Sequence, residues 1–285
     1  MTTPTFTAPP AWGALRWNGL RAAILALCQL IPPGLLAGHA LNKLLRGLIK
    51  HGRPQLVDTE VSGLRLRLLS RGNYSERRQL YEPQFFDCEE IDWLCARLAG
   101  GGTFLDIGAN VGLYSLHVAR RCGPGVRVLA VEPVPELAAR MRFNAQTNGL
   151  AITAVACALS DRRGSAELKL GAQSGASSLG DGPAGGRTLT VPLLPLLELL
   201  HEQAIGEVTA LKIDVEGHEP QVLEPFLASA PRSLWPQAIV IEHTGDGSGL
   251  LTRLCAPGRY REVQRTRRNA LLLRDDRAAP VGERL

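Results

Sequence analysis

At 285 residues with 45% hydrophobic content, the chain can bury one large core and still carry an N-terminal extension. Its net charge of +5 and pI near 9.1 are only modestly basic and aromatics make up 5%, which argues against a nucleic-acid surface of clustered cations and base-stacking rings. The six cysteines include no Cys-x-x-Cys pair, so neither a disulfide framework nor a zinc site is expected, and the compartment reads as cytoplasmic.

Residues 1–54 form the extension, with short amphipathic helices expected over 20–30 and 35–50, the second lined in part by Lys43, Arg46 and Lys50. The apolar run 22–31 behind Arg16 and Arg21, followed by Gly38-His39-Ala40, imitates a secretory signal, but Pro32-Pro33 and the long polar start count against one. The run is also too short to span a bilayer. Two roles stay open for the extension: a cap packed on the core, or a peripheral contact with a membrane or partner.

Residues 55–285 are expected to form the main domain. Apolar residues alternate over 55–69 around Ser62-Gly63, as in a hairpin, and 87–98 carry helical spacing. Strands are expected over 103–107, 126–132, 152–157, 208–213 and 237–242, with helices over 111–121, 135–147, 193–203 and 219–229. A final antiparallel pair falls at 260–264 and 270–274. This alternation predicts a Rossmann-like α/β fold: a mostly parallel seven-stranded sheet with an antiparallel C-terminal strand, helices on both faces, and ligands at the carboxyl ends of the strands. The Gly-, Ser- and Ala-rich segment 171–186 reads as a mobile loop long enough to close over a site.

Asp106-Ile107-Gly108-Ala109-Asn110-Val111-Gly112 joins the first core strand to a helix. Gly108 and Gly112 let the backbone approach a ligand closely, and the turn aims the amides of a helix N-terminus at it. Glu132, twenty residues past Gly112, ends the second strand, where a carboxylate can accept hydrogen bonds from both ribose hydroxyls. A pyrophosphate-binding turn reads Gly-x-Gly-x-x-Gly, but the second glycine is missing here and Asp106 would repel the pyrophosphate. S-adenosylmethionine has no phosphate and carries a sulfonium and an ammonium, which an acid attracts. The turn is therefore read as an adenosyl site. An NAD-linked oxidoreductase and a non-catalytic nucleotide-binding module are the alternatives, and plain capping by Asp106 and Asn110 is the competing structural role.

Leu211-Lys212-Ile213-Asp214-Val215-Glu216-Gly217-His218-Glu219 packs three carboxylates, a lysine and a histidine around one glycine. Asp214 and Glu216 project to the same side if the chain stays extended, and Glu242-His243 reach the same rim from the next strand. Methyl transfer to a hydroxyl needs in-line positioning and a base for the proton. Asp214, Glu216, Glu242 and His243 are the candidates for that chemistry. Hard oxygen ligands from Asp214, Glu216 and Glu242 holding Mg2+ are the second route, with metal-free base catalysis preferred. Glu219 is as well suited to capping the next helix. His117 reads as a packed core histidine.

These segments resemble the FkbM-type methyltransferase family, whose members use S-adenosylmethionine mainly on hydroxyls of sugars and sugar-bearing or polyketide products. The likeness spans residues 81–273 and rests on Phe104 through Gly112, Val131-Glu132-Pro133, Asn144 and Asn148, Ala158-Leu159-Ser160-Asp161, Ser177-Ser178-Leu179, and Leu211 through Glu219. It implies a class I methyltransferase fold, a small-molecule or glycan acceptor, and a cofactor held by Asp106, Gly108, Asn110 and Glu132. It also implies an adenine bordered by Ser160 and Asp161, with Glu82 of Tyr81-Glu82-Pro83 facing the cofactor or acceptor. One departure stands out: Pro195-Leu196-Leu197-Glu198 has leucine where the family places an acid.

Overall fold

A computed structural model of the chain describes residues 10–32, 38–170, 177–179, 187–243 and 249–276. The chain forms two compact units, Met1–Phe86 and Asp87–Leu285.

The first unit holds helices α1 (Gly19–Leu30) and α2 (Gly38–Leu48), strands β1 (Leu56–Val61) and β2 (Leu64–Leu69), and helix α3 (Tyr74–Tyr81). The antiparallel β1–β2 hairpin turns at Ser62 and Gly63, both at positive φ, the backbone that two-residue hairpin turns demand. Asp58 and Arg67 are cross-strand partners, with Arg67 Nε and Nη2 donating to the two carboxylate oxygens at 2.7 and 2.9 Å. The Asn73 side chain accepts from Glu76 N and starts α3. Buried Asn42 donates to the carbonyls of Cys28 and Tyr81, and Gln29 donates to Thr59 Oγ1 and the Leu80 carbonyl. The hairpin expected to open the main domain at residue 55 is thereby tied to the N-terminal helices.

The second unit contains α4 (Cys88–Arg97), β3 (Gly102–Ile107), α5 (Leu113–Cys122), β4 (Val126–Val131), α6 (Pro135–Thr147), β5 (Ile152–Val155), β6 (Ala158–Ser160), β7 (Gly164–Leu170), β8 (Ser177–Leu179), β9 (Arg187–Pro195) and α7 (Leu196–Glu202). It continues with β10 (Ala210–Ile213), α8 (Glu219–Ser229), β11 (Ala238–Glu242), α9 (Leu250–Leu254), β12 (Tyr260–Arg265) and β13 (Asn269–Arg274). The main sheet is seven-stranded in the order β12-β13-β11-β10-β3-β4-β5. β5, β4, β3, β10 and β11 run parallel, and β13 runs against both its neighbours. This is the class I methyltransferase arrangement. The chain leaves β3 for β4 on one side and later returns to β10 on the other, so the strand order reverses at β3 and a crevice opens at its carboxyl end.

Residue alternation assigns the two faces. Leu105, Ile107, Leu129, Leu211, Ile213, Ile239 and Ile241 share one core with Leu199 and Leu200 of α7 and Val222, Leu223 and Phe226 of α8. Asp106 and Lys212 alternate with these and face the side of α5, which packs on β3 and β4.

A second sheet, β6-β9-β7-β8, lies outside the expected pattern. The helix expected from residue 193 starts at Leu196, because 191–193 extend β9 along β7, 193–195 run along β6, and extended Pro195, which has no N–H to give a helix interior, stands at the helix N-cap. Of the expected mobile loop, 171–176 and 180–186 lie outside the described residues, while 177–179 pair with β7. Among the described residues, no helix is long and apolar enough to cross a membrane.

Candidate active site

β3 delivers the chain into the glycine turn. Gly108, Asn110 and Gly112 all have positive φ, and the amides of Gly108 and Ala109 both donate to the Val131 carbonyl at 3.0 Å, folding the turn over the end of β4. A Cβ on Gly108 would be driven into the carbonyl oxygen of Asp214, and one on Gly112 into the Met141 side chain. Asp214 N donates to Ile107 O at 3.1 Å. The two motifs read separately in the sequence are therefore in backbone contact.

Glu132 stands at the end of β4, 5% exposed, where Asn110 N donates to Oε2 at 2.8 Å and Val134 N to Oε1 at 2.9 Å. Burial pushes its carboxyl up to about 7, against the pull of these two amides and of Lys212. Each oxygen keeps capacity for one more donor, which is what a ribose diol offers.

Asp106 is wholly buried, and Ser115 N and Oγ both donate to its Oδ2, at 3.1 and 2.7 Å. It does cap the start of α5, while its Oδ1 lies 3.9 Å from Lys212 Nζ. Lys212 is its register partner on β10. The same ammonium donates to the Gly108 carbonyl at 3.3 Å, reaches Asp214 Oδ2 at 3.4 Å and stands 5.5 Å from the centre of the Tyr114 ring. Tyr114 in turn donates to Asp87 Oδ2 at 3.0 Å. Burial works against the Lys212 charge, but Asp214 and Asp106 outweigh it and hold the ammonium above its ordinary value. Burial raises the Asp106 carboxyl despite Lys212 and Ser115. Sequence reasoning gave neither Lys212 nor Tyr114 a role. The available signal was a lysine inside a short apolar strand, which burial tolerates only with a partner.

Beyond β10 the chain does not stay extended. Glu216 and Gly217 both take positive φ, so Asp214 and Glu216 do not line one strand face as expected, because the backbone turns between them and the start of α8. The Glu216 carboxyl still sits in their shared field: burial, then Asp214 and Glu242, push it up to about 7. Glu219 Oε1 accepts from Val215 N at 2.8 Å, bracing the turn ahead of α8 where its position had suggested capping of the helix itself. Glu242 Oε1 accepts from Arg268 Nη2 at 2.8 Å, and His243 Nε2 lies 3.1 Å from the Thr266 carbonyl. A carbonyl only accepts, so Nε2 carries the proton and a neutral His243 has Nδ1 left as its acceptor. Ser160 Oγ donates to Asp161 Oδ1 at 3.1 Å and lies 3.1 Å from Nε2 of His218, a neighbour the sequence did not suggest.

Glu82 belongs to the first unit, where Arg46 donates to its Oε1 at 3.4 Å and His39 Nδ1 lies 3.7 Å from Oε2. Among the described residues, no group of three or more His, Cys, Asp or Glu side chains could hold a metal ion, which leaves the Mg2+ route without a supporting ligand set. His117 is buried in α5, and burial lowers it to about 4, so it is a neutral core residue.

The sequence matches the methyltransferase FkbM domain over residues 106–253, just over half of the chain. It is 28% identical to the 31-O-demethyl-FK506 methyltransferase FkbM of Streptomyces tacrolimicus, covering 53% of this chain and 69% of that one. It is also 28% identical to the methyltransferase sdnD of Sordaria araneosa, covering 52% and 68%. Among solved structures, an O-methyltransferase of Bacillus cereus bound to S-adenosylhomocysteine superposes with a TM-score of 0.41 at 14% identity, covering 66% of this chain and 81% of that one.

Proposed function

The chain belongs to the FkbM methyltransferase family, and from that premise we propose that it uses S-adenosylmethionine to methylate a hydroxyl oxygen of a sugar or glycosylated small molecule. The observation that carries the cofactor reading is Glu132, whose two oxygens are pinned by Asn110 N and Val134 N at the mouth of the glycine turn with capacity left for a diol. The donor set fits that ligand: the turn is rimmed by carboxylates, which suits a sulfonium and an ammonium and opposes a pyrophosphate. Oxygen as the accepting atom is supported by the Streptomyces relative, named as a 31-O-demethyl-FK506 methyltransferase.

S-adenosylmethionine supplies an electrophilic methyl group. In our reading Gly108, Asn110 and Gly112 shape the turn around it, and Asp106 orients that turn through Ser115 and Lys212. Ser160 and Asp161 border the adenine. Glu216, with its carboxyl near 7, takes the proton the acceptor hydroxyl loses, which is the pKa a base needs at neutral pH. Asp214, held by Lys212, orients the hydroxyl, while Glu242 and His243 line the acceptor side with Arg268 and Thr266 fixing them.

Calorimetric titration with S-adenosylmethionine, S-adenosylhomocysteine and NAD, with and without Mg2+, tests the reading. Micromolar affinity for both adenosyl ligands and none for NAD is expected, followed by methyl transfer in a screen of sugar hydroxyls. Binding of NAD alone would return the chain to the oxidoreductase alternative, and binding of nothing to the non-catalytic module.

A further inference from the structure

The first unit carries a surface that the methyl-transfer reading leaves unused. On α1 the exposed positions include Leu20, Ala23, Ala26, Leu27 and Leu30, an apolar stripe at helical spacing. On α2, which packs against α1, Leu41, Leu44 and Leu48 repeat the pattern. Leu20, Leu27, Leu30, Leu44 and Leu48 are each more than half exposed, from 52% to 76%. A soluble helix normally turns such a face into the core; two neighbouring helices leaving it outside point to something that covers it.

The charge around this face selects the occupant. No Asp or Glu occurs before Asp58, while Arg16, Arg21, Lys43, Arg46, Lys50 and Arg53 all lie in that stretch. Lys43 and Lys50, both exposed, stand on α2 and just past its end. Apolar residues on a short helix with the exposed cations Lys43 and Lys50 beside them, the nearby acid Glu82 being already held by Arg46, are the chemistry of a helix lying in the plane of an anionic lipid surface. At 12 residues α1 spans about 18 Å, well short of a hydrocarbon core of about 30 Å, so it can lie in the interface and not cross it. We infer that the α1–α2 face is a peripheral membrane-binding surface selective for anionic lipid. A protein partner would need an acidic, apolar patch of matching shape; a bilayer with anionic headgroups supplies both features without one.

Flotation of the full chain with phosphatidylcholine vesicles and with vesicles containing 30% phosphatidylglycerol tests this. Retention on the anionic vesicles, weakened by 0.5 M salt and at least tenfold lower on pure phosphatidylcholine, is expected. Lys43→Glu with Lys50→Glu should lower partitioning by about tenfold or more, and Leu27→Ser with Leu44→Ser should abolish it. Because these side chains are exposed, S-adenosylhomocysteine affinity and the unfolding midpoint should stay at the wild-type values in all four changes. Failure of the wild-type chain to prefer anionic vesicles would overturn the inference. So would a dimer in sedimentation velocity that the two leucine changes dissociate, since a second copy would then be the occupant.

Discussion

Gly108 and Asp214, 106 residues apart in the chain, are in direct backbone contact: the Asp214 carbonyl oxygen fills the space where a side chain on residue 108 would begin. The glycine is thus required twice, by its φ of +73° and by its neighbour. The relationship welds the glycine turn to the strand end that carries the candidate chemistry.

Gly108→Ala should cost at least about 2 kcal/mol of stability, since a strained φ and a backbone clash cannot both be relieved. Urea denaturation measures the first effect. S-adenosylhomocysteine affinity should fall with it, because any relief displaces Asp214 or opens the turn. A variant with unaltered midpoint and affinity would mean that the turn is more pliable than its contacts imply.

Lys212 stands between Asp106 and Asp214 with little access to solvent. Lys212→Met should destabilise by about 3–5 kcal/mol, because the Asp106 carboxyl is left buried without its cation. Adding Asp106→Asn should recover part of that loss. The interaction energy from this double-mutant cycle is the readout, and simple additivity would show that the two side chains do not act as a pair.

If Glu216 is the base, kcat/KM should climb about tenfold per pH unit below 7 and level off above it. Glu216→Gln should erase that limb and reduce turnover by about 10²- to 10⁴-fold. Asp214→Ala should abolish turnover while leaving S-adenosylmethionine affinity within about a few-fold, as expected of a group that orients the acceptor. Lost cofactor binding in the Asp214 variant, or an intact pH limb in the Glu216 variant, would reassign them.

Glu132 is raised from an ordinary 4.5 to about 7, so the folded state holds its proton more tightly than the unfolded chain. Its contribution to stability is fully present below about pH 4.5 and is lost as pH rises through about 7. Glu216 has the same sign over the same window. Glu132→Gln should therefore flatten part of the decline in unfolding free energy between pH 5 and pH 8. It should also weaken S-adenosylhomocysteine binding by about tenfold or more by removing a charged acceptor for the ribose. An unchanged pH slope would place the Glu132 carboxyl in solvent.

The alternation of strands and helices made the main sheet legible, since β3, β4, β10 and β11 are short apolar runs bounded by turn residues. Strand pairing was not. Nothing local says that Lys212 registers with Asp106 across more than a hundred residues, so the lysine looked like one more charge at a strand end. The second sheet was missed although Ala166, Leu168 and Leu170 of β7 alternate with polar neighbours, because β9 runs straight into α7 and leaves periodicity no clear boundary to mark. Helix α3 left a local trace, Asn73 three residues ahead of Glu76, which is a capping pattern; the arginines and glutamine that follow hid it by lacking an apolar stripe. Asp214 and Glu216 were expected on one face only if the chain stayed extended, and that condition fails for a conformational reason. A glutamate at positive φ is uncommon, so an extended reading was the natural one, and the following Gly217 was the hint of a turn.

Glu242 and His243 both take their partners, Arg268 and Thr266, from the β12–β13 hairpin. In the order of synthesis, Glu132 has its described hydrogen-bond partners once β5 has emerged, whereas the glycine turn waits for Lys212 and Asp214, and this part of the rim waits for more than a hundred residues past β5. A nascent chain can thus set the Glu132 carboxylate early, brace the glycine turn only with β10, and fix Glu242 and His243 only with its last strands. Premature termination short of β10 would leave the proposed ribose acceptor in place beside a glycine turn that nothing yet braces.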